Sequence, residues 1–353
     1  MKILITGNMG YVGPLVMRHL RESHPEATLI GYDIGYFAHC LTAATRLPES
    51  RADVQYFGDI RQVPERILQG VDGIVHLCAI SNDPMGATFE KVTLDINHRA
   101  SIDLAEKAKR AGVKKFVFAS SCSVYGFAEG GPRREEDAIN PLTAYAKSKV
   151  QTEQDLASLA SENFTATCLR FATACGMSDR LRLDLVLNDF VASALVSKRI
   201  NILSDGTPWR PLIHVKDMAR AIDWAIQRDR RDGGSFLTVN AGSDAWNYQV
   251  KDLAAAVANL VPNVEISINK DAQPDKRSYR VSFDKFSKLA QGFLPVVDLE
   301  SAVKDLRDGI VAMQFRDQEF RTGEFIRLVT LKRLRESRHL TDDLVWNDRS
   351  DRV

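Results

Sequence analysis

Cysteine is scarce and its spacing is unhelpful to any scaffold. The chain has five (Cys40, Cys78, Cys122, Cys168 and Cys175) and no C-x-x-C pair. An odd number without paired spacing fits neither a disulfide framework nor a zinc site, so these thiols are expected to be reduced and mostly buried, and no metal is expected. Charge of one sign is also lacking: 47 Lys plus Arg stand against 46 Asp plus Glu, for a formal net charge of +1. Such a balance provides no polyanion-binding surface, which excludes nucleic acid as the expected partner. No apolar run approaches the roughly 18 residues of a membrane span, and the run after Met1 is too short for a signal-peptide core. The expectation is a cytoplasmic protein with no membrane association. Internal repeats and low-complexity segments are absent as well.

What is present is length and alternation. With 353 residues, of which 44% are hydrophobic, the chain can bury a large core and form more than one folding unit. "KILIT" (2–6), "TLIGYD" (28–33), "VQYFGD" (54–59), "GIVHLCA" (73–79), "KKFVFASS" (114–121) and "FTATCLRF" (164–171) are near-continuous apolar runs, the pattern of strands buried on both faces. Helical spacing predicts helices between them, at 87–111 and 143–161. Strand and helix in alternation predict an α/β fold with a parallel, doubly wound sheet. After residue 170 the pattern loosens. We place a dinucleotide-binding domain at 1–170 and 211–243, a smaller α/β substrate lobe at 171–210 and 244–313, and a helical tail at 314–353. An apolar stripe on that tail predicts packing on its own domain or on a subunit partner.

Gly7, Gly10 and Gly13 stand between the first strand and the first helix. A tight glycine turn there either serves the chain's own geometry or makes an anion site, because unpaired N–H groups and the helix dipole converge on one place. Asp33 ends the second strand about 20 residues after the last glycine, where a carboxylate can accept hydrogen bonds from an adenosine ribose. The residues that follow, "IGYFAH", hold no Arg or Lys to pair a 2′-phosphate, which favours NAD over NADP. Asp59, followed by Ile60, is either an adenine contact or the N-cap of the next helix. "YAKSK" places Tyr145 and Lys149 four residues apart on one helix face. An ammonium beside a phenol is expected to lower the phenol pKa toward the range of a general acid or base.

Together "TGNMGYVG", "YD" at 32–33, "GDI" at 58–60, "HLCA" at 76–79, "SSCSVYG" at 120–126, Y-x-x-x-K at 145–149 and "RPLIHVKD" at 210–217 resemble the extended short-chain dehydrogenase/reductase family. Its members include NAD-dependent nucleotide-sugar epimerases, dehydratases and reductases, and the likeness spans about 1–313. The resemblance implies a Rossmann-type fold and bound NAD. It assigns Tyr145 to proton transfer, Ser121 to the reacting oxygen, and Lys149 to the nicotinamide ribose and the tyrosine. It implies NAD contacts from Gly7, Gly10, Tyr11, Val12, Gly13, Asp33, Asp59, Ile60, Leu77, Cys78, Ala79 and Asn97, besides Tyr145 and Lys149. Arg210 and Arg277 match diphosphate-binding arginines, although each is also explicable as a surface or interlobe ion pair.

The family's 4,6-dehydratases carry Asp-Glu directly after the catalytic hydroxyl residue, and its decarboxylases carry Glu at the position of Ser123. Cys122 and Ser123 stand here, which argues against both chemistries. The expected activity is epimerisation of a nucleotide sugar, with C4 the favoured carbon. The alternatives are an NAD(P)-dependent keto-sugar reductase or sugar dehydrogenase and, in another class, an inactive dinucleotide-binding regulatory protein. Ser81, Asn82, Ser121, Ser123, Thr173, Arg182 and Asn188 are expected in the sugar pocket with the two arginines, and Asp184 beside them. For 81–86 the competing reading is an Asn-Asp-Pro turn opening a helix. A homodimer through the helices at 87–111 and 143–161 is expected by the same resemblance.

Overall fold

Strands without a polar face need cover on both sides, and a parallel sheet between helix layers supplies it. The computed structural model describes residues 1–42, 45–128, 130–272 and 278–347. In it β1 (Lys2–Thr6), β2 (Thr28–Asp33), β3 (Val54–Phe57), β4 (Gly73–His76), β5 (Lys115–Ser121) and β6 (Thr165–Phe171) follow the apolar runs. Next come β7 (Thr173–Cys175), β8 (Arg199–Ile202), β9 (Trp209–His214), β10 (Phe236–Ala241), β11 (Asn247–Gln249) and β12 (Glu265–Ile268). The large sheet runs β10-β6-β5-β4-β1-β2-β3, all parallel. Strand order reverses between β1 and β4, and this switch point opens a crevice at the C-terminal strand ends.

One expectation fails at the edge. β3 is not buried on both faces: Phe57 is 69% exposed, because β3 is outermost and only β2 pairs with it. β9 pairs with β7 and β11 in a separate three-stranded sheet, and β8 pairs with β12. A lobe boundary at 210/211 therefore cuts through β9, while β10 lies in the large sheet.

Helix α1 (Gly13–Ser23) follows the glycine turn. The helix expected at 87–111 is interrupted. It comprises α2 (Asp83–Thr88), α3 (Glu90–Leu94), a wide π turn over Asp95–Arg99, and α4 (Ala100–Arg110). Phe89, at φ −123° and ψ 50°, breaks α2 from α3. The extra residue of the π turn carries Asn97, whose amide is engaged at both ends: Oδ1 accepts from Ile80 N at 2.8 Å and Nδ2 donates to Ile80 O at 3.0 Å. Thr143 caps α5 (Ala144–Leu159), its hydroxyl accepting from Ala146 N at 3.1 Å.

Beyond these lie α6 (Val186–Val196), α7 (Val215–Gln227), α8 (Val250–Leu260), α9 (Asp284–Leu289), α10 (Leu299–Ala312) and α11 (Arg327–Glu336). Hydrophobic cores form on the two sides of the large sheet, and the tail contributes to both. Phe320 and Phe325 enter one, and Leu331, Leu340 and Leu344 enter the other. The tail thus packs on its own chain. Among the described residues no helix is long and apolar enough to cross a membrane, no cluster of His, Cys, Asp or Glu is placed to hold a metal, and all five cysteines are free.

Candidate active site

A cavity of about 910 Å³ occupies the crevice. The glycine turn forms its floor, and its three glycines have different reasons. Gly7 sits at φ +76°, donates to Tyr32 O at 2.9 Å, and lies so close to β4 that a Cβ would come within 2.6 Å of Cys78 N. At Gly13 a Cβ would lie 2.2 Å from Asn8 O. Those two are fixed by the chain's own packing. A Cβ at Gly10 would approach only Gly7 O, at 3.2 Å, and would otherwise project into open space of the cavity wall. α1 begins with no side-chain cap and no acidic residue in its first turn; Pro14 has no N–H and Leu15 N donates to Val12 O at 3.1 Å, which leaves the Gly13 N–H for an anion. Both readings of the glycines hold, at different positions.

Asp33 lines the cavity at the end of β2 and accepts from Met9 N at 2.9 Å and Gly35 N at 2.8 Å. Burial raises its pKa against those two bonds. Asp59 does cap a short turn, accepting from Arg61 N at 2.9 Å and pairing with the Arg61 guanidinium, and it also lines the cavity with Ile60. Tyr11, Val12, Leu77, Cys78 and Ala79 line it as expected. Asn97 does not. It is buried beneath the wall and holds Ile80, so it shapes the cleft without facing it.

The reacting groups meet where β5 ends. Ser121 is the last residue of β5; its hydroxyl accepts from Ser123 N at 3.1 Å, and Ser121 lines the cavity with Tyr145 and lowers its pKa. Tyr145 comes from the first turn of α5, and Lys149 lies one turn further along. The Lys149 ammonium donates to Ala119 O at 2.7 Å and lies 4.5 Å from the Phe118 ring centroid and 5.5 Å from that of Tyr145. The expected lowering of the tyrosine pKa is not found in the protein alone. Burial pushes Tyr145 up to about 12, with Ser121 and Arg182 pulling the other way. Burial also pushes Lys149 down to about 8. The ammonium is spent on a carbonyl and two ring faces instead of the phenol oxygen, which explains the difference.

Arg182, Asp184, Ser81 and Asn82 form a clasp across the cavity. Arg182 Nε donates to Asp184 Oδ1 at 2.9 Å and Nη1 to Ser81 Oγ at 3.0 Å, while Asn82 Nδ2 donates to Asp184 Oδ2 at 2.9 Å. Arg182 therefore lines the cavity as a paired cation. Asn82 also caps α2, accepting from Met85 N at 2.8 Å, so the Asn-Asp-Pro turn and the wall position coexist.

Ser123 lines the cavity beside Ser121, and its buried hydroxyl has no hydrogen-bond partner. Thr173 and Arg210 line it too, Arg210 donating to Trp209 O at 2.9 Å. Asn188 is corrected: it faces away, accepting from Gly176 N at 3.0 Å and donating to Tyr11 Oη at 3.0 Å and Arg182 O at 2.8 Å. Helical phase is the reason, since its neighbours Asp189 and Phe190 are the ones that line the cavity. Arg277 lies outside the described residues.

Sequence reasoning missed several wall residues. Asp83 raises the Tyr145 pKa and accepts from Thr143 Oγ1 at 2.7 Å; its place beside Pro84 in a turn hid it. Phe37, Tyr279, Arg321 and Arg327 come from a loop, the second lobe and the tail, and no local pattern joins them to the cleft.

The model of the NAD dependent epimerase/dehydratase family matches residues 3–242. UDP-glucose 4-epimerase of Corynebacterium glutamicum is 24% identical over 323 residues, covering 86% of this chain and 94% of the relative. The dTDP-glucose 4,6-dehydratase of Streptomyces griseus is 27% identical over 305 residues, covering 84% and 90%. Among solved structures, UDP-glucose 4-epimerase of Stenotrophomonas maltophila with NAD and formylated UDP-arabinopyranose superposes with a TM-score of 0.76 at 23% identity, covering 89% of this chain and 99% of that one. MoeE5 in complex with UDP-glucose and NAD gives 0.74 at 24%, covering 89% and 100%. These structural likenesses establish the fold. The chain belongs to the NAD dependent epimerase/dehydratase family and is an NAD-dependent enzyme of the extended short-chain dehydrogenase/reductase type.

Proposed function

We propose that the protein is an NAD-dependent nucleotide-sugar epimerase acting at C4. The observation that carries this reading is that Ser121, Tyr145 and Lys149 line the same cavity as the glycine turn, with the Lys149 ammonium 5.5 Å from the Tyr145 ring centroid. NAD fits the residues present: the wall is cleared at Gly10, the Gly13 N–H that opens α1 is unclaimed, the helix start carries no acidic residue, and Asp33 lines the cavity at the end of β2. Gly7, Gly10, Tyr11, Val12 and Gly13 would hold its pyrophosphate. Leu77, Cys78 and Ala79 would flank the nicotinamide half. When bound, NAD takes the hydride from the sugar carbon and returns it.

In its ionised form Tyr145 Oη would accept the proton of the C4 hydroxyl, leaving the keto sugar. Ser121 would hold the same oxygen through its hydroxyl, and Lys149, 5.5 Å from the Tyr145 ring centroid, would favour the phenolate once its ammonium turns from Ala119 O. With the keto sugar turned over in the cavity, Tyr145 would give the proton back to the same oxygen. No net oxidation results. Ser123 would hold a sugar hydroxyl and Arg210 would meet the diphosphate, since both line the cavity, with 171–210 and 244–313 proposed as the substrate lobe. Cys122 is fully buried, its thiol donating to Arg170 O at 3.1 Å, so neither 122 nor 123 supplies the acid and base of elimination. The UDP-sugars named for the relatives make UDP-glucose the first substrate to try.

The test pairs ligand identity with a variant. Mass spectrometry of small molecules released on denaturation is expected to find NAD. Tyr145→Phe is expected to cut turnover about 10²–10⁴-fold while the NAD content stays unchanged. Unchanged turnover in this variant would overturn the assignment. Homodimerisation through α4 and α5, which pack side by side within the chain, belongs to the same proposal. A single-chain mass in sedimentation would overturn that part.

A further inference from the structure

Buried charge normally comes paired, because an isolated buried ion costs several kcal/mol. Arg180 pairs with Glu49 and Arg182 with Asp184. Arg327, the first residue of α11, departs from this rule. It is 1% exposed and lines the cavity together with Ile326 and Leu328. Its guanidinium lies 4.5 Å from the Phe37 ring centroid, and Nη2 donates to Arg180 O at 3.0 Å. Nη1 is buried without a hydrogen-bond partner, and among the described residues no carboxylate stands within salt-bridge distance of it. Burial pushes its pKa down to about 10, the mark of a cation short of an anion. The helix it opens has no side-chain cap and no acidic residue in its first turn, so the N–H groups there are unclaimed too.

The location identifies the anion. Phe37 lies four residues beyond Asp33, at the ribose end. The carbonyl that holds Arg327 belongs to Arg180, whose N–H donates to Ser178 Oγ at 3.2 Å; Ser178 Oγ in turn donates to Tyr11 O of the glycine turn at 2.6 Å. Arg327 is therefore tied to the roof between the ribose end and the glycine turn, over the middle of the dinucleotide cleft. The tail is strapped down around it. Leu183 N donates to Phe325 O at 3.0 Å, Arg61 Nη1 to Asp343 O at 2.8 Å, and Trp346 Nε1 to Ile34 O at 2.8 Å. The family match ends at residue 242, well before this segment.

We infer that the tail is a strap over the bound dinucleotide and that Arg327 is a ligand of its pyrophosphate. The inference rests on NAD binding, and is independent of which carbon is altered. A diphosphate also occurs in a nucleotide sugar, so the test separates the two sources. Arg327→Met and Arg327→Lys are made in the full-length chain. NAD and UDP affinities are measured by titration calorimetry after bound ligand has been removed, and melting temperatures are taken with and without saturating NAD.

Arg327→Met is expected to weaken NAD binding at least about tenfold, with UDP binding unchanged and part of the loss recovered in Arg327→Lys. Without NAD it is expected to melt at or above the parent temperature, because an unpaired buried charge has gone, and to gain less from NAD than the parent. A merely structural arginine predicts the reverse: a lower melting temperature without NAD and NAD affinity within twofold of the parent. That result overturns the inference, as does weakened UDP binding with NAD unaffected. If Arg327→Met does not fold, Arg327→Gln carries the same comparison. A parent that binds no NAD overturns this inference and the proposed function together, whereas a parent that binds NAD as tightly as Arg327→Met does overturns this one alone.

Discussion

At the scale of single residues, the reacting pair is ordered by burial. Lys149 titrates near 8 and Tyr145 near 12, so in the protein alone the phenol keeps its proton at neutral pH. The stability consequence has a definite sign. Between pH 8 and 10.5 the unfolded chain holds a proton on Lys149 that the folded chain does not, so this group makes stability rise with pH across that window. In cofactor-free protein, Lys149→Met should therefore be most stabilising below pH 8, by at most about 3 kcal/mol, less about 1 kcal/mol for the Ala119 carbonyl left unpaired. Its advantage should shrink as pH approaches 10. Denaturant midpoints at pH 7 and pH 9.5 check this, and parallel pH profiles would contradict it. The residue types were legible because spacing exposes them: Gly7 to Gly13, Asp33, and the Y-x-x-x-K pair all sit at element boundaries. Their electrostatics were not legible, since the Lys149 ammonium is turned onto the Ala119 carbonyl by the packing of α5 on β5.

At the scale of elements, two local devices hold the site. One is the buried network behind β5. Arg170 Nη2 donates to Glu153 Oε2 at 2.7 Å, Ser120 donates to Glu153, and Arg170 Nη1 donates to Tyr125 Oη at 3.0 Å. It joins β5, β6 and α5 next to Ser121. Glu153→Ala leaves Arg170 buried without its anion and should cost about 3–5 kcal/mol in urea unfolding, with Glu153→Gln costing less. An effect under about 1 kcal/mol would mean that the network carries no such weight.

The other device is the strained start of α2. Asn82 adopts φ 148°, where glycine is at ease and other residues are not, and two side-chain bonds hold it there. Ala and Gly at this position lose the same bonds, but only Gly relieves the backbone. Asn82→Ala should therefore be less stable than Asn82→Gly by about 1–3 kcal/mol, more than the few tenths to about 1 kcal/mol by which Gly exceeds Ala at an unstrained N-cap. Equal stabilities would show that Asn82 is not strained. Neither feature follows from periodicity. The 87–111 pattern reads as one helix, because the π turn at Asn97 answers to its bonds with Ile80 and the break at Phe89 leaves no mark in the periodicity.

At the scale of the whole molecule, a parallel sheet places the glycine turn, the β5 end and the tail around one crevice. The large sheet was readable because strands buried on both faces are apolar throughout, and the order of motifs along 1–217 tracks the strands that carry them. β3 misled as an edge strand, and the boundary at 210/211 fell inside β9, which packs in a different sheet. Arg327 could not be found from sequence at all. Phe37 and Arg180, which define its surroundings, are hundreds of positions or a whole lobe away, and only tertiary packing brings them to it.

The central claim is a hydride that leaves the sugar carbon and returns to it within one active site. The most direct measurement follows UDP-glucose labelled with deuterium at C4 through turnover, by mass spectrometry and absorbance together. The account predicts the C4 epimer with deuterium still on C4 and no NADH released. Deuterium lost to free NADH at one equivalent per turnover would contradict it and make the protein an oxidoreductase with an exchangeable cofactor.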